Sequence, residues 1–562
     1  LGLDTETING FCRLLCLSDG RTFKISSFED VWEFFKVFKT KKKVYFLAWN
    51  ADYDIQSLLK YFPSEVIPVL LKGIEFEYGE FSFQYIKGKF FQFEGNFIFD
   101  ACQYYGLKLG VAAEQYLGEK KKDIDASNIT EENIYSMEVI DYCITDALLC
   151  HKLFNKFQMS LPETLKFVKP ISNAFYSFAY FRKELLGNRV VEPVNQYFRN
   201  AYSGGRFEIL NRGHFKNLYV YDINSAYPFE LAKLRTLRNS HCLNYSGYMK
   251  DATYSVYHVK ANIDTKFVSP VLMKNKGLCI YPVGDYEGFV TKGEYERIQK
   301  YDPKIISAVH VLAGKDKPFE ERINFLYEKK KTSLFPLPFK VILNSLYGKM
   351  AQSLMKYIKT SDLPGEISVV DYIDEDGITY IKFEDISHSN FVYSSEVTAR
   401  VRLRMFDLME KYPDDILMVS TDSVISKIPL PLPLSENIGE WKLEKWNEAY
   451  LIGSGVYFYR KGSSWLGKFR GFNVSEEKAK LILGTILNSK VPKIEFKTIK
   501  RFSIQESLRL HDEELSNMIL EVSKSLNINF DKKRIWAKGW KSGQDIKGSN
   551  IKSLAIYRNE LF

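Results

Sequence analysis

Two sets of carboxylates, far apart along the chain, have the types and spacing for chemistry. In LYVYDINSAYP, Asp222 ends an apolar run that reads as a buried strand over residues 215–223. In ILMVSTDSVISKI, Asp422 falls near the tip of an expected hairpin. A carboxylate at the end of an apolar strand is costly if buried alone and useful if it holds a cation. Two such strands meeting edge to edge would bring Asp222 and Asp422 together, and close carboxylates repel unless a hard divalent ion lies between them. Upstream, Asp4 and Glu6 are two apart on an apolar strand and share a face. Tyr142 and Asp146 are four apart on an expected helix and also share a face. Asp54 follows the apolar run VYFLAWN. Four carboxylates and a tyrosine suit a pair of divalent ions that position water on a phosphodiester. Taken singly, each of these acids reads equally well as a structural residue, and the Asp-x-Glu pattern recurs at Asp285 and Asp512 without assignment.

Between the two downstream acids lies KVILNSLYG, where Lys340, Asn344 and Tyr347 recur at i, i+4 and i+7. On a helix they form one face with a cation for phosphates, an amide and a flat ring.

The elements that must hold these residues follow from the pattern. Residues 1–155 read as α/β, with strands at VYFLAWN and FIFDA and a helix over 131–155. Residues 230–315 read as short strands and turns, 317–355 as helical with a break at LFPLP, and 356–392 again as β structure. Pro336 and Pro338 break that helix, and Pro338 fits the first turn of the next one. A helix over 393–411 precedes the strand ILMV, and IPLPLPLS at 428–435 reads as an extended connector.

Composition bounds the rest. The 562 residues suffice for three or four domains. Aromatic content is 15%, which suits aromatic cores in the plain reading and stacking platforms for unpaired bases in the functional one. Net charge is 78 − 69 = +9. Residues 532–562 carry eight Lys/Arg against two acids, with Trp536 and Trp540 among them, and read as a surface tracking a phosphate backbone. Lysine runs at 41–43, 120–122 and 329–331 read the same way. Seven scattered cysteines without CxxC pairs, and seven histidines, argue against zinc sites and a disulfide framework. No apolar run is long enough to span a membrane and no signal peptide is visible, so a cytoplasmic protein is expected. The chain opens at Leu1, and a few further N-terminal residues are expected.

The ordered segments YDINSAYP, KVILNSLYG and STDS resemble motifs A, B and C of family B DNA polymerases. YSGGRF (Tyr202 to Phe207) resembles the YxGG motif between exonuclease and polymerase domains. DTET at Asp4, NADYD at Asn50 and YCITD at Tyr142 resemble the three motifs of 3′–5′ proofreading domains. Insertions at about 236–314 and 351–392 make the whole similar to the protein-primed branch of bacteriophages, linear plasmids and mobile elements. The resemblance implies an α/β and α+β multidomain fold: an RNase H-like exonuclease domain plus palm, fingers and thumb with two β-rich insertions. Its domains would be exonuclease 1–165, palm 166–235 and 393–495, insertions 236–314 and 351–392, fingers 315–350, and thumb with basic tail 496–562.

The resemblance also implies roles. Asp222 and Asp422 would ligate metal at one site, and Asp4, Glu6, Asp54 and Asp146 at the other, with Tyr142 orienting water and Lys121 assisting cleavage. Tyr227 would stack beneath the deoxyribose and exclude a 2′-hydroxyl. Lys340 with one of Lys329 to Lys331, of which Lys331 is chosen, would hold the triphosphate. Asn344 and Tyr347 would line the nascent base pair. Thr7, Asn50 and Tyr53 would contact single-stranded DNA. Tyr202, Gly204 and Gly205 would contact template, and Tyr457, Lys468 and Arg470 the DNA near the thumb. Implied cofactors are two Mg²⁺ per site, with Mn²⁺ as a substitute. Implied partners are primer-template DNA, dNTPs and a terminal protein as primer, acting on a monomer in the cytoplasm of the host if the source is viral. Processive strand displacement is expected with them.

Three departures stand out. Ser420 replaces the first acid of the usual DTDS, which is expected to weaken activity or shift metal preference without abolishing it. Gly455-Val456-Tyr457 lacks the Lys of the usual Lys-x-Tyr. Asp100-Ala101-Cys102 stands where a Ser/Thr-Leu pair is usual. Two other readings are an exonuclease with a degenerate polymerase site and a non-catalytic DNA-binding scaffold.

Overall fold

The strand Leu3–Ile8 buries Leu3 and Thr5 and turns Asp4 and Glu6 to the opposite face, as period-two alternation requires. In the computed structural model it pairs antiparallel with Phe11–Leu17, which pairs with Thr22–Lys24. On its other side Gly2 bridges in parallel to Leu47 of the strand Tyr45–Ala48, which runs parallel to Asn96–Asp100. Three antiparallel strands extended by two parallel ones are the RNase H-like arrangement. A further meander, Phe90–Phe93, Phe81–Ile86 and Phe76–Tyr78, widens the sheet. All residues are described except 125–127, 276–277, 353–355, 360–371, 374–378, 384–388, 470–473 and 559–562.

The helix Met137–Ser160 packs across this sheet. Its start lies six residues later than the spacing predicts, because the Ser136 hydroxyl caps it by accepting from the Val139 N–H. The helix approaches closely at Gly2, where an added Cβ would meet the Ala147 carbonyl oxygen at 1.8 Å. Only glycine allows that approach, and it sets Asp146 beside the strand that carries Asp4. Much of the aromatic content goes into the core on the sheet, where Phe34, Phe35, Phe46, Phe83 and Phe93 interlock. The plain reading of the composition accounts for these rings.

A second sheet holds the downstream residues. Its order is Ser464–Phe469, Val456–Lys461, Trp441–Gly453, Asn211–Ile223, Ser423–Ser426, Ile416–Thr421 and Arg206–Ile209. The expected strand at 215–223 is the end of Asn211–Ile223, and ILMVSTDSVISKI forms the expected hairpin. The helix Phe391–Lys411 packs on it with a nearly continuous buried face. Helices Glu320–Thr332 and Leu337–Met350 stand beside it, joined through LFPLP, with Pro338 in the first turn of the second. Residues 241–312 contribute a four-stranded sheet: His241–Asn244, Lys304–Leu312, Tyr254–Ile263 and Gly284–Thr291. It is tied to the long helix by the buried pair Arg402–Glu294 at 2.7 Å. Of the second insertion, strands Lys356–Lys359, Tyr372–Ile373 and Thr379–Phe383 are described, and most other residues of 353–388 lie outside the described residues.

The hairpin Lys493–Arg501/Ile519–Asn527 sends its connecting segment onto the upstream domain. There the Ile504 N–H donates to Gln56 Oε1 at 3.1 Å and Lys60 Nζ donates to the Ser516 carbonyl at 2.7 Å. The basic stretch beyond 532 is partly interior, which corrects its reading as a phosphate-tracking surface. Arg534 is buried and pairs with buried Glu208 at 3.0 Å, and Glu208 also takes Arg206 at 2.6 Å. Trp540 is in the core, and the Arg212 guanidinium lies over both Trp536 and Trp540, at 4.4 and 4.2 Å from their rings. Lys532, Lys538, Lys541, Lys547 and Lys552 remain exposed.

Candidate active sites

The upstream site gathers Asp4 and Glu6 from the strand, Asp54 from the first turn of the helix Asp52–Leu59, and Asp146 from the long helix. Asp54 and Asp146 are each only 3% exposed. Their convergence shows in their titration. Burial first, then Glu6, Asp146 and Asp54, pushes Asp4 well above the carboxylate range. Burial and then Asp146 push Glu6 up to about 8. Burial pushes Asp54 up to about 7, against a hydrogen bond of 2.7 Å from the Thr5 hydroxyl. Lys121 ion-pairs with Asp146 and lies 4.7 Å from the Tyr142 ring centre, so these three form one group. Asp146 Oδ1 is buried without a hydrogen-bond partner among the described residues. Carboxylates held this close, with an unused buried oxygen among them, fit divalent cations.

The Thr7 and Tyr53 hydroxyls hydrogen-bond beside this cluster. Asn50 is exposed in a left-handed turn (φ 65°), and its N–H donates to Asp100 Oδ1 at 3.0 Å. The same oxygen accepts from the Cys102 N–H at 2.9 Å. Asp100, a departure in the sequence, thus fixes the turn that presents Asn50. Spacing does not reveal the approach of the C-terminal hairpin, whose Asn517 donates to the Tyr53 carbonyl at 3.1 Å and whose Arg501 lies 5.6 Å from the Tyr53 ring.

The downstream site is built by strand register. Asp222 stands opposite Ser423 on one side and Lys442 on the other. The hairpin tip is tight: Thr421 is left-handed (φ 65°), a rare state for a β-branched residue, and the Asp422 N–H donates to the Ser420 carbonyl at 2.8 Å. The Ile223 N–H donates to the Asp422 carbonyl at 3.1 Å, locking the tip to the end of the Asp222 strand. Burial and then Asp222 push the Asp422 carboxyl up to about 6. Ser420 stands opposite Phe207 and Ser423, and its carbonyl accepts from the Ser423 hydroxyl at 3.1 Å.

Lysines surround these acids. Lys442 Nζ is 2.9 Å from Asp222 Oδ2. Lys330 donates to the Ser225 hydroxyl at 3.1 Å, and its ammonium is pulled down by burial and then by Lys340 and Lys442. Of the lysine run, Lys330 therefore reaches the site, whereas Lys331, expected at the triphosphate, lies 3.8 Å from Glu328. Lys340, Asn344 and Tyr347 share the open face of their helix, while Ile342, Leu343 and Leu346 bury the other. Tyr347 stacks flat on Tyr227, with ring centres 4.3 Å apart and planes at 11°. Gly205 lets the backbone pass this stack, since a Cβ there would lie 2.5 Å from the Tyr227 hydroxyl. Arg402 holds the segment through the Ser203 and Gly204 carbonyls at 2.9 and 3.2 Å, and Tyr202 packs edge-on against Phe391.

Farther along the sheet, Tyr457 stacks beside Trp446 and stands opposite Lys468. Lys468 and Lys533 both lie over the Phe207 ring, at 5.9 and 5.4 Å. Arg470 lies outside the described residues.

The model of the DNA polymerases type B, organellar and viral, matches residues 74–403. A DNA polymerase of Acidianus bottle-shaped virus (isolate Italy/Pozzuoli) is 27% identical over 394 residues, 64% of this chain and 54% of its own length. The DNA-directed DNA polymerase of Enterobacteria phage PRD1 is 21% identical over 498 residues, 83% of this chain and 81% of its own. A probable DNA polymerase of Neurospora intermedia is 25% identical over 387 residues, 60% of this chain and 39% of its own. The chain thus spans about half or less of the length of several curated relatives. Among solved structures, Phi29 DNA polymerase complexed with primer-template DNA and incoming nucleotide substrates has a TM-score of 0.66 at 15% identity, covering 94% of this chain and 98% of that one. At that identity the likeness is one of fold, and it bears out the expected α/β and α+β multidomain fold. With more than half of its length matched, the chain belongs to the type B DNA polymerases of organelles and viruses.

Proposed function

We propose that this chain is a template-directed DNA polymerase that extends a 3′-hydroxyl and trims it with a 3′–5′ exonuclease. The carrying observation is the register that sets Asp222 beside the Asp422 tip, under a stacked Tyr227–Tyr347 pair and within reach of Lys330, Lys340 and Lys442. Divalent ions, two Mg²⁺ per site with Mn²⁺ as a substitute, would activate the hydroxyl or water and neutralise the departing phosphate charge. Asp222 and Asp422 would hold them downstream, and Asp4, Glu6, Asp54 and Asp146 upstream. Lys330 and Lys340 bind the triphosphate, with Lys330 in the place read for Lys331. Tyr227 and Tyr347 form a flat floor for sugar and base, and Asn344 projects beside them. Tyr202, Gly204 and Gly205 line the template path. Tyr457 and Lys468 face the primer duplex, and the sequence assigns Arg470 to the same role. Upstream, Lys121 orders Tyr142 and Asp146, and Thr7, Asn50 and Tyr53 grip the frayed strand.

The domain ranges given above, monomeric action in the host cytoplasm, a terminal-protein primer and processive strand displacement belong to the same proposal. The viral relatives and the complex described for Phi29 DNA polymerase support it. A 5′-labelled primer on a longer template with Mg²⁺ tests it: growth with dNTPs and shortening without them are expected. Shortening in both lanes would leave only the nuclease, and no change in either would leave a scaffold. Ser420→Asp is expected to raise the extension rate or change its Mg²⁺/Mn²⁺ ratio; an unchanged rate and ratio would remove any role for Ser420.

A further inference from the structure

Cys143 follows Tyr142 in YCITD and is fully buried. Its Sγ, one Asp4 oxygen and one Glu6 oxygen all lie within 4.8 Å of one another. Its thiol donates to the Asp4 backbone carbonyl at 3.4 Å. A second observation points to a ligand. Asp146 is 3% exposed, and its Oδ1 is buried with no hydrogen-bond partner among the described residues while Lys121 takes the other oxygen. The charge of Asp146 acts on both Asp4 and Glu6, so it faces the same space. Oxygen donors alone suit hard ions such as Mg²⁺. A sulfur in the same ring of donors changes the preference, because thiolate selects softer ions and zinc-class ions accept mixed sulfur and carboxylate ligands.

We propose that Cys143, Asp4 and Glu6 form a binding site for a thiophilic divalent cation of the zinc–cadmium class, which competes with Mg²⁺ at the upstream site. On binding, the sulfur–metal bond forms, the thiol proton leaves to solvent, and no electron is transferred. The binding stands on the donor set alone. Its consequence, inhibition of strand shortening, rests on the exonuclease reading.

The test is a Cd²⁺ titration of the full chain without Mg²⁺, followed by the ultraviolet charge-transfer band of a cadmium–thiolate bond. A band saturating at one equivalent is expected in the wild type and in Cys242→Ser, which removes an exposed thiol. Cys143→Ser loses it. Glu6→Gln keeps it with a midpoint at least about tenfold higher, and added Mg²⁺ raises the wild-type midpoint. A band that survives Cys143→Ser, or a midpoint that neither Glu6→Gln nor Mg²⁺ moves, overturns the proposal. Should Cys143→Ser not fold, Cys143→Ala and the Glu6→Gln arm decide. In the labelled-primer assay Zn²⁺ should stop shortening at concentrations that leave extension running. Absence of any shortening in Mg²⁺ would defeat the exonuclease reading while the band still decides the metal site.

Discussion

The two carboxylate sites solve the same electrostatic problem in opposite ways. Upstream, four acids converge with one lysine at the cluster, Lys121, and two of the acids are almost fully buried. Downstream, two acids face three lysines, and Lys442 already neutralises Asp222. The upstream site therefore holds more acid than base, and either protons or bound cations relieve the repulsion. The downstream site keeps its charge near balance and has spare positive charge for a phosphate ligand. The contrast matches a site that receives a bare phosphodiester and one that receives a triphosphate.

The sharpest way to break this comparison is to disable one site and watch the other. Asp222→Asn or Asp422→Asn should lower extension by roughly 10²–10³-fold with shortening unchanged, and Asp4→Asn should do the reverse. Loss of both activities from either substitution would mean that the sites are not independent. Next in size, Gly2→Ala forces the long helix off the Asp4 strand. It should cost about 1–3 kcal/mol in urea unfolding of the upstream domain and reduce shortening, with extension kept. Lys442→Ala tests the charge balance downstream. Because Lys442 is half-exposed, only a roughly two- to fivefold weakening of dNTP binding is expected, read from KM with the shortening rate unmoved.

The smallest effect is one of pH. A carboxyl raised in the folded state favours folding below its ordinary range and loses that contribution as pH rises through the raised value. In EDTA, Glu6→Gln should thus gain melting temperature over the wild type progressively from about pH 4.5 to about 8. The gain from Asp422→Asn should level off near pH 6. Equal profiles would erase the difference between the two sites.

Much of this arrangement was legible in the sequence because its signals are local. Alternation put Asp4 and Glu6 on one face, helical spacing did so for Tyr142 with Asp146 and for Lys340 with Asn344 and Tyr347, and the turn residues marked the Asp422 tip. Lys330 was not distinguishable from Lys331, since three consecutive helical lysines point around most of the axis and only a neighbour such as Ser225 selects one. Lys442 was hidden because its pairing with Asp222 depends on register between strands remote in sequence. Arg534 and Trp540 looked like a basic surface because composition says nothing about which cation a buried acid will claim.

That last pairing bears on how the protein is made. Glu208 sits on the strand beside the Asp422 hairpin, and its partner Arg534 follows it by 326 residues. At about 5–20 residues per second, translation leaves roughly 16–65 s between the two. Throughout that interval the growing chain carries an acid destined for the interior without Arg534, and for much of it a strand whose partner, Ile416–Thr421, does not yet exist. The upstream sheet, whose strands all lie within the first hundred residues, has no such wait. A ribosome paused before the Asp422 hairpin is made would hold a chain with its upstream sheet formed and an open, adhesive edge along the strand that carries Glu208.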